Sequence, residues 1–383
     1  MSNLLSQTEL NLTASPRRPV AASQIDWTKV KRVLVVRLRS IGDTVLSTPS
    51  LIALRRFLPE AQIDILLEDW VAPLLEDFDA VDNVIAVPTK NSVPVDKDKM
   101  SRKDLLFWRS AVALSLRETK YDVAFNLHGG TTATFFVRAS GARHRVGFKN
   151  YQYNFLYNHL LSSSSDFWGK KITHSAEQQL ALLGFVGVPV ADEPKSRLII
   201  SEKEAEEMDL FLHVYGIDEE KIALIHPAAA FETKRWSAEN FAKVIDYLDA
   251  RGICSVAVAA PNEENIIKEL SEKTKTIFHG FTHLTLPEIK ALASRAKIFI
   301  GNDSGVAHIA AAVNTPTVVI FGASNFNHWR PWTNAPNEIV YAPEKCNHAL
   351  AEIAKGSENP KCILCVKVID VCNAIEKALK EHT

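Results

Sequence analysis

The run Gly301-Asn302-Asp303-Ser304-Gly305-Val306-Ala307-His308 constrains the fold of this chain more than any other stretch. It follows the apolar segment Ala296 to Ile300 and opens a helix of small residues, Ile309 to Val313. A strand that ends in a Gly-bracketed polar turn and runs straight into a helix presents backbone N–H groups that suit an anion. His308 follows Ser304 by four residues, so the two share the first exposed face of that helix. Thr315 to Gly322 then reads as a short buried strand of a parallel sheet. The result is βαβ organisation with a polar site at the carboxyl end of a strand.

The same unit recurs near the beginning. Lys31 to Leu38 has the apolar density of a central strand, Arg39 to Asp43 is a tight turn, and a helix is expected over Thr44 to Phe57, ending before Pro59. Strands follow at Ile63 to Leu67, Val84 to Val87, Tyr121 to Leu127 and Arg143 to Phe148. Helices are expected at Asp69 to Asp77, Asp104 to Glu118, Thr131 to Ser140 and Ser175 to Phe185. Val188 to Arg197 is rich in proline and charge, as a linker would be, and the alternation then restarts with a helix at Glu202 to Tyr215. The pattern predicts an α/β protein of two Rossmann-like domains facing across a cleft. The expected division is a tail over 1–26, one domain over 27–195 and a second over 196–383, with the last helix free to pack back on the first domain.

A chain of 383 residues can bury two cores. A net charge of -1 argues against a general nucleic-acid binder. Met1 to Ile25 is polar, and no apolar stretch reaches membrane-spanning length, so the expectation is a cytoplasmic protein with at most peripheral contact with the inner membrane. Cys346, Cys362, Cys365 and Cys372 crowd the C-terminal region and offer four thiolates to a metal. Cys372 falls in an apparent helix rather than a second CxxC knuckle, so unpaired thiols are the preferred reading.

Three stretches together carry a family likeness: VVRLRSIGDTVLSTPSLIALRRFLPEAQID, IHPAAAFETKRWSAENFAKVIDYL and GNDSGVAHIAAAVNTPTVVIFGASNFNHWRP. In that order they resemble glycosyltransferase family nine, which includes the ADP-heptose:lipopolysaccharide heptosyltransferases. The resemblance implies a GT-B fold and inverting transfer with no catalytic metal or other cofactor. It also implies an ADP-heptose donor held mainly by the C-terminal domain, and a lipopolysaccharide or related glycolipid acceptor. Asp43 falls on the family's proposed catalytic base, with Ser40 and Gly42 in the same turn on the donor side. Lys234 falls on the phosphate-binding lysine, Glu263 on the acid that contacts the nucleoside, and Asp303, Ser304, Gly305 and His308 on the loop that holds diphosphate and sugar. Ala228 to Ala230 depart from the Gly or hydroxyl residues of relatives, and Asn126 stands where many have Asp.

Each residue also has an ordinary reading. Asp43 and Asp303 suit helix capping, Lys234 a solvated surface, and Glu263 a helix N-terminus. His308 either donates to a phosphate or satisfies a buried carbonyl. His128, ending a strand at Gly129-Gly130, is a candidate for the acceptor side, as are Arg143 and Arg145, which join Arg37, Arg39, Arg138 and Lys149 in a basic rim. Alternatives left open are transfer of another nucleotide sugar to a different envelope glycan, a sugar-nucleotide epimerase, and a non-catalytic nucleotide-sugar-binding protein.

Overall fold

The computed structural model describes residues 25–92, 100–218, 221–322, 324–342 and 363–382. The chain divides between Ile199 and Ile200 into two compact units. The first holds strands β1 (Arg32–Val36), β2 (Gln62–Glu68), β3 (Asn83–Val87), β4 (Val123–Asn126), β5 (His144–Phe148) and β6 (His159–Leu161). Its helices are α1 (Ile41–Val45), α2 (Thr48–Phe57), α3 (Arg102–Thr119), α4 (Thr131–Ala139), α5 (Ser164–Trp168) and α6 (Ser175–Phe185). All its strand pairs are parallel, in the order β3-β2-β1-β4-β5-β6.

The second unit repeats the plan. Its strands are β7 (Ile222–His226), β8 (Cys254–Val258), β9 (His279–Phe281), β10 (Ile298–Asn302), β11 (Thr317–Phe321) and β12 (Asn337–Tyr341). Their order is β9-β8-β7-β10-β11-β12, again parallel. The helices are α7 (Glu202–Tyr215), α8 (Ala238–Asp249), α9 (Glu264–Lys273), α10 (Leu286–Arg295), α11 (Gly305–Ala312), α12 (Phe326–Trp329) and α13 (Val368–His382). In each sheet the winding reverses beside the first strand, between β1 and β4 and between β7 and β10. Ligands of open α/β sheets bind outside the carboxyl ends of the strands at such a point.

Burial explains which strands the sequence reveals. β4, β7, β10 and β11 are buried at every position, so both faces demand apolar side chains. The edge strands β6, β9 and β12 are short or only half covered, and their patterns do not stand out from loop. The helix expected over Thr44 to Phe57 is two helices. Pro49 has no N–H and its ring crowds the carbonyl of Val45, which instead accepts from Thr48 Oγ1 at 2.7 Å. Asp69 to Asp77 forms only a 3-10 turn, Ala72–Leu75.

The Pro-rich stretch before Ile200 is docked rather than loose. Val188 and Val190 are buried, Arg56 pairs with Asp192, and Arg197 bonds Thr48 Oγ1 through its N–H at 3.1 Å and Asp79 at 2.5 Å. Helix α13, for which a return to the first domain was allowed, buries Val371, Ala374, Ile375 and Ala378 in the core of the second unit. Among the described residues no helix is long and apolar enough to cross a membrane.

Gly301 lets β10 lie close to β7 at the reversal. A Cβ there would stand 2.9 Å from the His226 carbonyl oxygen and 2.6 Å from Phe299 Cζ. Gly301→Ala is therefore expected to destabilise the second unit by about 1–3 kcal/mol through overpacking, read as a lower urea midpoint in equilibrium unfolding.

Candidate active site

Most of the polar candidates collect at the two reversal points. In the first unit, β1 runs into Arg37 and then into α1, which carries Asp43 as its third residue. Ser40, not Asp43, is the N-cap of α1. The Asp43 carboxylate forms an ion pair with Arg37 and accepts from Ser40 Oγ at 3.1 Å. Arg37 is buried, and its other guanidinium nitrogen donates to the Leu127 carbonyl at the end of β4. The cation thus clamps the β1 and β4 loops together and orients the carboxylate. The sequence places Arg37 on a basic rim; it lies inside the site because β1 pairs with β4, which brings the Leu127 carbonyl to its guanidinium.

His128 lies on the same side of the sheet. Burial, aided by the Arg37 and Arg39 charges, holds its pKa down to about 4, and Asp43 pulls the other way. Asn126, fully buried at the last position of β4, accepts from the N–H groups of His128 at 3.0 Å and Gly129 at 2.8 Å. Its amide donates to Tyr157 Oη at 2.6 Å. An aspartate could accept the same two N–H groups, with Tyr157 then as donor, so Asn at this position preserves the turn.

Arg143 and Arg145 lie elsewhere. Arg143 is exposed just before β5, at the amino edge of the sheet. Arg145 pairs in register with Ala124 and spends its guanidinium on the carbonyls of Leu156 and Ala142, at 2.6 Å each. Neither joins Asp43 and His128.

In the second unit β7 ends at His226 and β10 at Asn302, side by side across the reversal. Asn302 is fully buried and donates to the Pro227 carbonyl at 2.8 Å while accepting from Trp236 N–H at 3.0 Å. It thereby holds the segment after β7 over the sheet edge. Lys234, in the 3-10 turn Glu232–Lys234, reaches Asp303 at 2.8 Å. A Cβ on Gly322 would come within 2.5 Å of the Thr233 carbonyl oxygen, so this turn rests directly on the end of β11.

Ser304 is the N-cap of α11, yet its hydroxyl does not cap; it lies 3.0 Å from His226 Nδ1. The helix therefore begins at Gly305 without a side-chain cap beside the Lys234 ammonium, an arrangement suited to a diphosphate. His308 is buried in the first turn of α11. Glu263 follows β8, one strand from the reversal, and accepts from Ala260 N–H at 3.1 Å. Ala228 packs with Ala259 and Ile266, so an apolar residue suits this position. His226 was not singled out in the sequence, where His226-Pro227 reads only as a turn. Arg235, next to Lys234, keeps a buried Nε without a hydrogen-bond partner.

Cys346 and Cys362 lie outside the described residues. Cys365 packs against the second core and Cys372 is buried in α13. Among the described residues no three His, Cys, Asp or Glu side chains are grouped to hold a metal ion.

Two Rossmann-like units with polar reversal points are the architecture of GT-B glycosyltransferases. The solved structures it resembles include a glycosyltransferase family 9 protein from Veillonella parvula (TM-score 0.77, 23% identity, 92% of this chain and 97% of that one). Another is ADP-heptose lipopolysaccharide heptosyltransferase II of Escherichia coli (TM-score 0.73, 20% identity, 92% and 99%). Lipopolysaccharide heptosyltransferase 3 of Escherichia coli is 31% identical over 360 residues, spanning 90% of this chain and 98% of the relative. The model of glycosyltransferase family 9 (heptosyltransferase) matches residues 109–357, and the chain belongs to that family.

Burial holds the pKa of His226 down to about 4 from an ordinary 6.5, so the unfolded chain takes up a proton there first as pH falls. Its contribution is complete above pH 6.5 and is lost as pH falls from there towards 4, by about 2 kcal/mol between pH 7 and pH 5. Urea titrations at those two pH values should show this slope in the wild type and a shallower one in His226→Gln.

Proposed function

We propose that the protein transfers a heptose from an ADP-activated donor to a lipopolysaccharide core acceptor, with inversion at the anomeric carbon and without a metal ion. The observation that carries this reading is the pairing of chemistries at the two reversal points. One presents a carboxylate oriented by a buried arginine, the other a lysine beside an uncapped helix N-terminus. Those are the groups that glycosyl transfer requires. The relatives that share most of the chain's length are lipopolysaccharide heptosyltransferases, which supports heptose and the lipopolysaccharide core as the substrates.

In this mechanism Asp43 takes the proton from the acceptor hydroxyl as that oxygen attacks the anomeric carbon opposite the leaving ADP. Arg37 keeps the carboxylate aimed and balances its charge before the proton arrives. Charge developing on the diphosphate is met by Lys234, released from Asp303, and by the N–H groups at the start of α11. Ser304, held by neutral His226, sets where those N–H groups point. Asp303, freed from Lys234, is placed to accept from sugar hydroxyls, and Glu263 from the ribose. His128 stands beside the base and is assigned to the acceptor. A nucleotide-activated donor places this work in the cytoplasm.

Titration calorimetry with ADP, UDP and GDP, followed by transfer assays, separates these roles. ADP should bind in preference to the other two, and Lys234→Ala should weaken it by about tenfold or more, the worth of a charged hydrogen bond. Asp43→Asn should bind ADP as the wild type does and lose about 10²–10⁴ in kcat. Preference for UDP or GDP would overturn the ADP-heptose assignment, and full activity in Asp43→Asn would remove the base.

A further inference from the structure

Helix α3 violates the rule that a helix on a globular surface turns its polar side to water. Its inner side is conventional: Leu105 and Leu116 are buried, and Val112 packs against the first core. Its outer side follows the spacing Lys103, Phe107, Ser110, Leu114, Arg117, which is one helical stripe pointing away from that core. On it Phe107 is 67% exposed and Leu114 62%, with Leu106 alongside at 68% and Trp108 on the flank at 51%.

The neighbouring helix α4 continues the surface. Ala133, Phe136 and Val137 bury against the same core as α3, while Thr131, Phe135 and Arg138 share the outward stripe, Phe135 at 50% exposure. These two helices therefore carry five of the nine large apolar side chains exposed on the first unit among the described residues. Isolated exposed apolar residues need no explanation, but their concentration on two neighbouring helices does.

Charge identifies what covers it. The two helices bear Arg102, Lys103, Arg109, Arg117 and Arg138 against only Asp104 and Glu118, and Asp104 is engaged by the Ser101 hydroxyl at 2.7 Å. That is an excess of three positive charges on a chain whose total is -1. Cations at both ends of an aromatic and leucine stripe match an interface with anionic headgroups above and hydrocarbon below. Indole and phenyl rings settle at that boundary, while the long basic side chains reach back to the phosphates. We infer that the outer face of α3 and α4 docks the protein on an anionic phospholipid bilayer, with Phe107, Trp108 and Leu114 entering the interface and Lys103, Arg117 and Arg138 on the headgroups. The inference does not depend on the proposed transfer reaction, because it is read in the absence of donor and acceptor.

The test is cosedimentation of the full chain with vesicles of phosphatidylethanolamine and phosphatidylglycerol, against phosphatidylcholine alone. Binding is expected only to the anionic vesicles and should weaken with added salt. Phe107→Ser with Leu114→Ser should reduce the bound fraction on the order of tenfold, as should Lys103→Glu with Arg117→Glu. Leu210→Ser with Ile277→Ser, which removes exposed apolar groups from the second unit, should leave binding unchanged. Acyl-brominated phosphatidylglycerol should quench tryptophan fluorescence in the wild type and do so less in Trp108→Phe. Retention of the wild type in the supernatant, or equal binding by the Phe107→Ser, Leu114→Ser protein, would overturn the inference. So would a wild-type dimer in sedimentation velocity that the same double variant converts to monomer, since a second copy would then own the surface.

Discussion

In each half of the molecule one buried asparagine at the last position of a central strand does the same physical job. Asn126 ends β4 and Asn302 ends β10, the strands on the far side of each reversal, and both are fully buried. Each uses its carbonyl to accept main-chain N–H groups of a loop and its amide to donate to another segment. A buried primary amide satisfied on both sides is an adhesive with direction, because leaving either side unpaired costs about 1–3 kcal/mol. Loops at the end of a parallel sheet have no ladder to follow, so these side chains supply the register that the backbone lacks.

The groups beside the two asparagines differ between the halves, and the difference is electrostatic. Next to Asn126, the Leu127 carbonyl takes the buried guanidinium of Arg37, which pairs with the Asp43 carboxylate. Next to Asn302, Asp303 takes the Lys234 ammonium, and α11 starts two residues further on without a side-chain cap. His128 and His226 sit beside these groups with pKa values held down to about 4, so neither adds charge near neutrality. One architecture thereby presents a paired carboxylate in one unit and an ammonium beside an uncapped helix start in the other, with both histidines neutral beside them.

The central strands and most long helices were legible because burial on both faces writes an uninterrupted apolar run, as in Lys31 to Leu38 and Thr315 to Gly322. The helices at Ser175–Phe185 and Glu202–Tyr215 were legible to the residue, and both open with capping boxes. The edge strands β6, β9 and β12 were not, since they are short or interrupted by polar residues, whereas the edge strand β3 was read from its unbroken apolar run Val84 to Val87. At the site, Asp43, Lys234 and the Ser304 loop stood out through motif and likeness. The Arg37 clamp and the His226 contact did not, because both depend on which strands become neighbours, and local spacing does not encode that order. Arg143 and Arg145 lie apart from Asp43 and His128 for a reason that local spacing does not encode either: a basic strand looks alike at both ends, and the parallel register puts them towards the amino edge.

The turn that carries Lys234 rests on Gly322 from below and is tied at Trp236, whose N–H meets Asn302 and whose indole donates to the Val366 carbonyl at 3.1 Å. Such a segment is a bail hinged at one end and seated on a hard stop. It has no inward travel; its free direction is away from the sheet. The lysine at its tip can therefore swing outward without dragging the strand ends along, and the end of the sheet sets the height to which the turn returns.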